Sequence, residues 1–152
     1  MTDTATGRDI FVATTLSAAD LGALFGKAFQ VARDGLVIDD GAQPERLAAW
    51  NPPRCIVIYP LEPDGYFNFK LGIDLDVPIA TDKFRVLASQ QHLTIAWAVD
   101  ETSLLDDYYI AFPSGKLAVH ALHFRETEDT YACFLLPETG PSRDADGLDP
   151  SP

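Results

Sequence analysis

Residues 67–75, Phe-Asn-Phe-Lys-Leu-Gly-Ile-Asp-Leu, carry the most regular hydrophobic pattern in the chain. Apolar side chains stand at every second position, with polar or small residues between them. Because successive side chains of a β-strand point to opposite faces, this alternation predicts a strand with one buried and one solvated face. We expect the apolar set to share the buried face. Its members are Phe67, Phe69, Leu71, Ile73 and Leu75.

Helices are predicted before and after this strand in the chain. The hydroxyl of Ser17 can accept a hydrogen bond from the N–H of Asp20, and apolar residues follow at helical spacing, which predicts a helix over 17–32. A threonine in the same capping role predicts a second helix over 81–91. A short third helix is predicted over 44–50, where a proline stands at the first helical position.

The other apolar runs are short and rich in β-branched and aromatic residues, which predicts strands. They cover residues 8–15, 54–59, 93–99, 108–112, 117–124 and 130–136, and the short apolar piece 36–38 could be one more strand. Since the last four follow one another without a helix between them, the order favours an α+β fold over an alternating parallel one. We expect a mainly antiparallel or mixed sheet of about five to seven strands packed by two to three helices. Residues 1–136 would form one domain, and the proline-rich tail, 137–152, would be disordered.

The composition argues against two classes of partner. The chain has 152 residues, 23 acidic and 11 basic, and a formal net charge of −12. Nucleic acids and anionic membrane surfaces both recruit clustered lysine and arginine, so neither is an expected partner. No run of about 18 apolar residues is present, and residues 1–9 lack a signal-peptide pattern, so we expect a cytoplasmic protein.

Motifs for catalysis or metal binding are not evident. His120 and His123 form an H-x-x-H pair, but on a predicted strand their side chains point to opposite faces and cannot chelate one ion without a β-bulge. The two aspartates at 74 and 76 lack the following ligands of a calcium loop, and no G-x-S-x-G nucleophile elbow occurs. Both cysteines lie in apolar runs and are expected to be reduced and buried. We therefore predict no catalytic residue, no metal, no cofactor and no enzymatic activity.

The acidic residues are distributed unevenly. No lysine or arginine occurs in the thirty residues between Arg85 and Lys116, and one predicted loop there carries carboxylates followed by two tyrosines. A second acidic loop follows two strands later, and loops so related in a meander leave the sheet at the same end. Since charge steers encounters and aromatic rings anchor them, these loops predict a surface for a basic protein. The predicted partner-binding residues are Asp100, Glu101, Asp106, Asp107, Tyr108, Tyr109, Glu126, Glu128 and Asp129. The alternative is that the loops maintain solubility and one tyrosine belongs to the core.

Two classes of function fit these features. The first is an acidic protein-binding domain, best described as an immunity-type inhibitor of a basic, toxin-like protein. Bacterial immunity proteins are similar in size, charge and lack of catalytic motifs, and a secretion chaperone for an effector shares the profile. The second class is a small-ligand-binding or enzymatic domain whose site is assembled from distant residues. Its candidate polar groups are His92, His120, Asp100 and Asp106.

Overall fold

A computed structural model describes residues 6–39, 53–99 and 107–138. Within these ranges the fold is α+β, as predicted, with two α-helices and an eight-stranded mixed sheet. The strands are β1 (Gly7–Ala13), β2 (Leu36–Ile38), β3 (Cys55–Pro60), β4 (Phe69–Asp74), β5 (Thr94–Ala98), β6 (Asp107–Ala111), β7 (Leu117–Glu126) and β8 (Tyr131–Glu138). The helices are α1 (Ala18–Phe29) and α2 (Asp82–Gln91). The predicted helix over 44–50 and the tail from 139 onward lie outside the described residues.

The strands are ordered β2-β3-β4-β1-β5-β6-β7-β8 across the sheet. The neighbours β2 and β3 run parallel, and every other adjacent pair is antiparallel. The sheet therefore exceeds the predicted five to seven strands. The short edge strand Leu36–Ile38 accounts for the excess, because three residues give too little pattern to separate a strand from a loop.

Helix α1 begins as its sequence predicts and ends earlier. The backbone N–H of Asp20 donates to Ser17 Oγ at 3.1 Å, and Leu21, Phe25 and Phe29 are buried. Gln30 has a left-handed backbone with φ of 58°, which ends the helix three residues before the predicted limit. Thr81 precedes α2 as predicted, but its side chain makes no capping hydrogen bond.

The alternating stretch forms β4, with one correction. Phe69, Leu71 and Ile73 lie in the core between the sheet and the helices, as predicted. Phe67 belongs to a second core on the opposite face of the sheet. The prediction was wrong for Phe67 because β4 begins only at Phe69; Phe67 instead forms an isolated bridge with Cys133 of β8.

The sheet curls until it closes on itself. In a flat sheet β1 and β7 would lie three strand spacings apart, about 14 Å, yet the rings of Phe11 and Phe124 are 5.4 Å apart. The N–H groups of Tyr66 and Phe67 also donate to the carbonyl oxygen of Cys133, at 2.8 and 3.2 Å. We call residues 61–67 the closing segment, because it joins the start of β4 to the far edge strand.

The closure encloses the second core, whose buried members share the concave face of the sheet. They are Phe11, Leu61, Phe67, Ala96, Ile110, Leu122 and Cys133. The fold thus has two cores, one under the helices and one inside the curl. In the described part of the chain, no helix is both long enough and apolar enough to cross a membrane.

Candidate functional site

The first predicted acidic group lies where β6 begins. Asp107 and Tyr108 are half-buried there, whereas Asp100, Glu101 and Asp106 lie outside the described residues. Tyr108 faces the concave side, with its ring 6.0 Å from that of Phe11. The neighbouring residue, Tyr109, faces the helix side and packs at 5.7 Å on Trp97. Of the two tyrosines, Tyr108 is therefore placed towards the concave surface.

The second predicted acidic group lies at the end of β7. Glu126, Glu128 and Asp129 are all exposed. Asp107 pairs with Ala121 of β7, so Glu126 stands five residues, or about 17 Å of strand, beyond it. The two loops leave the sheet at the same end in strand order, but the length of β7 separates Asp107 from the carboxylates of the second loop.

The closing segment adds two carboxylates that the sequence analysis did not include. Arg125 Nη2 donates to Asp64 Oδ2 at 2.5 Å, and Thr127 Oγ1 donates to Glu62 Oε2 at 3.2 Å. The hydrogen bond from Arg125 holds the pKa of Asp64 below its usual range. We call the resulting group of carboxylates the acidic tip. It consists of Glu62, Asp64, Glu126, Glu128 and Asp129.

Two exposed aromatic rings flank the acidic tip. Tyr66 is 44% exposed and follows Asp64 by two residues, while Phe124 is 37% exposed and precedes Glu126 by two. The ring of Phe124 also packs edge-on against the ring of Tyr131, with 5.5 Å between their centroids. This contact restricts the orientation of the Phe124 ring. The acidic tip therefore combines negative charge with accessible apolar area.

A cleft of about 620 Å³ opens on the concave face, at the end where β5 finishes and β6 begins. We call it the mouth cleft. Its lining residues are Gly7, Arg8, Asp9, Phe11, Cys55, Val57, Tyr59, Lys70, Gly72, Ile73, Asp74, Ala98 and Tyr108. Lys70 Nζ lies 3.8 Å from Asp9 Oδ2 and 5.1 Å from the centre of the Tyr59 ring.

Burial, and to a smaller extent neighbouring carboxylates, raises the pKa of two groups that line the mouth cleft. Partial burial raises the pKa of Tyr59, and the carboxylates of Asp39 and Asp9 raise it further. Burial likewise raises the pKa of Cys55, with a smaller contribution from Asp74. A raised pKa keeps this thiol protonated near neutral pH, which disfavours a role as a nucleophile.

The other candidate groups are structural in character. His120 and His123 point to opposite faces, as predicted: His120 Nδ1 lies 2.7 Å from the carbonyl oxygen of Leu136, and His123 stacks near Phe134 at 6.1 Å. Cys133 is buried, and burial raises its pKa to about 12. Among the described residues, no group of three or more His, Cys, Asp or Glu side chains could hold a metal ion.

The chain matches no family model, no curated protein and no solved structure in the three comparisons. The function proposed below is therefore argued from the residues and contacts of this chain alone.

Proposed function

We propose that this protein is a small acidic binding domain for a basic protein partner, acting as an immunity-type inhibitor that masks a toxin-like protein. The observation that carries the proposal is the acidic tip, in which two chain segments bring five carboxylates beside the exposed rings of Tyr66 and Phe124. Among the described residues, the cation that forms an ion pair with these carboxylates is Arg125, through Asp64. The surface therefore keeps a clear excess of negative charge.

The way the acidic tip is built supports a binding role. Thr127 holds Glu62 and Arg125 holds Asp64, so two of the carboxylates are oriented before a partner arrives. Side chains that are already ordered lose less conformational entropy on binding. The long-range field of a chain with net charge −12 accelerates encounter with a positively charged protein, and the aromatic rings supply contact area once it arrives.

The first acidic loop would make a second contact with the partner, apart from that of the acidic tip. Asp107 and Tyr108 would meet the partner at the other end of the exposed part of β7, and the sequence assigns Asp100, Glu101 and Asp106, which lie outside the described residues, to the same contact. Because about 17 Å of strand separates Asp107 from Glu126, variants of the two groups should act independently on affinity.

The test uses the full chain and a partner isolated with it by affinity capture from the source cells. Isothermal titration gives the Kd for wild type and for the double variant Glu128→Gln/Asp129→Asn. Each exposed charge removed should weaken binding about 1.4- to five-fold, since single exposed ion pairs contribute about 0.2–1 kcal/mol. The matched control is Asp20→Asn/Asp82→Asn, which removes the same charge from the first turns of α1 and α2.

The control variant should bind as the wild type does, apart from a small loss of long-range attraction. Equal Kd values for the acidic-tip variant and the wild type would contradict the proposal. So would equal weakening by both double variants, because net charge alone would then explain the effect.

A further inference from the structure

The mouth cleft has the position and size of a ligand site, and the acidic tip does not account for it. It opens at the mouth of the curled sheet, a common place for binding sites in barrel-like folds. Its volume of about 620 Å³ falls within the roughly 300–1,000 Å³ of small-ligand pockets. Glycine and alanine form much of its floor, at Gly7, Gly72 and Ala98.

The side chains that face the mouth cleft leave one carboxylate unpaired. Ile73 belongs to the helix-side core, so it lines the cleft through its backbone, and strand alternation places the Arg8 side chain on that same helix side. Lys70 is thus the cation inside the cleft, and Asp9 already neutralises it at 3.8 Å. Asp74 is exposed and forms no ion pair within the described residues.

The mouth cleft already holds one cationic side chain of the protein itself, that of Lys70. The ammonium group of Lys70 lies between the ring of Tyr59 and the carboxylate of Asp9. A ring face and a carboxylate together are a favourable environment for guanidinium and ammonium groups. Tyr108 and Asp74 are a second ring and a second carboxylate in the lining of the same cleft.

We propose that the mouth cleft receives an arginine or lysine side chain of the basic partner, with Asp74 as its counter-ion. This inference rests on the proposed function but concerns a different surface from the acidic tip. The floor residues are small, and the Asp9 carboxylate lies beside them: a Cβ added at Gly72 would be in van der Waals contact with Asp9 Oδ1 at 3.4 Å. The cleft would thereby add specificity for one basic residue to the general attraction of the acidic surface.

The test is a titration of the ¹⁵N-labelled full chain with Nα-acetyl-arginine methylamide, followed by amide chemical shifts. We expect saturable shifts at the backbone amides of Gly7, Gly72 and Ala98, which lie in the floor. The citrulline analogue has the same shape without the charge and should produce no saturable shift at these amides.

Two variants test separately how the charge and the shape of the mouth cleft contribute to binding of the probe. Asp74→Asn should weaken binding of the arginine probe about 1.4- to five-fold, as expected for loss of one exposed counter-ion. Gly72→Val should abolish the shifts, because its side chain fills the floor of the cleft, and valine suits a strand. Asp82→Asn, in the first turn of α2, is the control and should leave the Kd of the probe unchanged.

The proposal is overturned if citrulline shifts the same amides as strongly, or if Asp74→Asn and Gly72→Val both retain the wild-type Kd. The same titration with ethylguanidinium, which lacks a peptide backbone, shows whether the cleft prefers a free organic cation. If ethylguanidinium binds more tightly than the arginine derivative, the assignment to a protein side chain is wrong and the site takes a small organic cation. Failure of the acidic-tip variants to weaken partner binding would contradict the proposed function without changing the result of this titration.

Discussion

Gly65 of the closing segment lies against the backbone of β8 at Cys133. A Cβ at this position would lie 2.7 Å from the carbonyl oxygen of Cys133 and 2.8 Å from its nitrogen. Because both are backbone atoms, the closing segment itself must move to accommodate Gly65→Ala. That movement breaks the hydrogen bonds from Tyr66 and Phe67 to the same carbonyl. At about 1 kcal/mol net for each bond, plus partial exposure of Phe67, the variant should lose about 2–4 kcal/mol of unfolding free energy.

Urea unfolding followed by circular dichroism measures this loss, with Gly72→Ala as the matched control. A Cβ at Gly72 meets nothing closer than 3.4 Å, so the control should change stability by less than about 0.5 kcal/mol. If Gly65→Ala unfolds at the wild-type urea concentration, the sheet does not close through this contact. The acidic tip would then lose its structural basis, since Glu62 and Asp64 reach it only through the closing segment.

Three further predictions concern stability and thiol chemistry. Arg54→Ala should cost about 1–2 kcal/mol of unfolding free energy, because Arg54 Nη1 donates to the terminal carbonyl of α1 at Phe29; Arg54→Lys should recover part of the loss in the same urea assay. The folded pKa of Cys133 is raised from 9.0 to about 12, so its contribution to stability is complete below the unfolded value and falls as pH rises towards 12. Urea midpoints at neutral and alkaline pH should therefore diverge less in Cys133→Ala than in wild type, and a wild-type midpoint independent of alkaline pH would contradict this. In native protein, an Ellman titration should modify Cys133 more slowly than the half-buried Cys55, and equal rates would show that the second core is open.

Local pattern was sufficient for most of the secondary structure. The capping serine and helical spacing of α1 place its start correctly, and the alternation of β4 identifies its buried face, because both depend on neighbours within a few residues. The opposite orientations of His120 and His123 follow from strand geometry alone. Long-range pairing was not accessible in this way. The position of Phe67 depends on a bridge to Cys133, 66 residues later in the chain.

The candidate site likewise has features that follow from neighbouring residues and features that depend on long-range contacts. The sequence identifies Glu126, Glu128 and Asp129 as an acidic group, because they are adjacent in the chain. It does not identify Glu62 and Asp64 as their neighbours, since that contact arises from the curl of the sheet. Charge density along a chain is a local property, whereas the surface on which charges meet depends on how strands bend.

The most direct test of the central claim is the dependence of partner affinity on ionic strength, measured for wild type, Glu128→Gln/Asp129→Asn and Asp20→Asn/Asp82→Asn. If the acidic tip binds a basic surface, the wild-type Kd will rise steeply with salt, and the acidic-tip variant will show a shallower slope because fewer charges are screened. The control variant should keep a slope close to that of the wild type. A wild-type Kd that does not respond to salt, or a slope that the acidic-tip variant leaves unchanged, would contradict the claim.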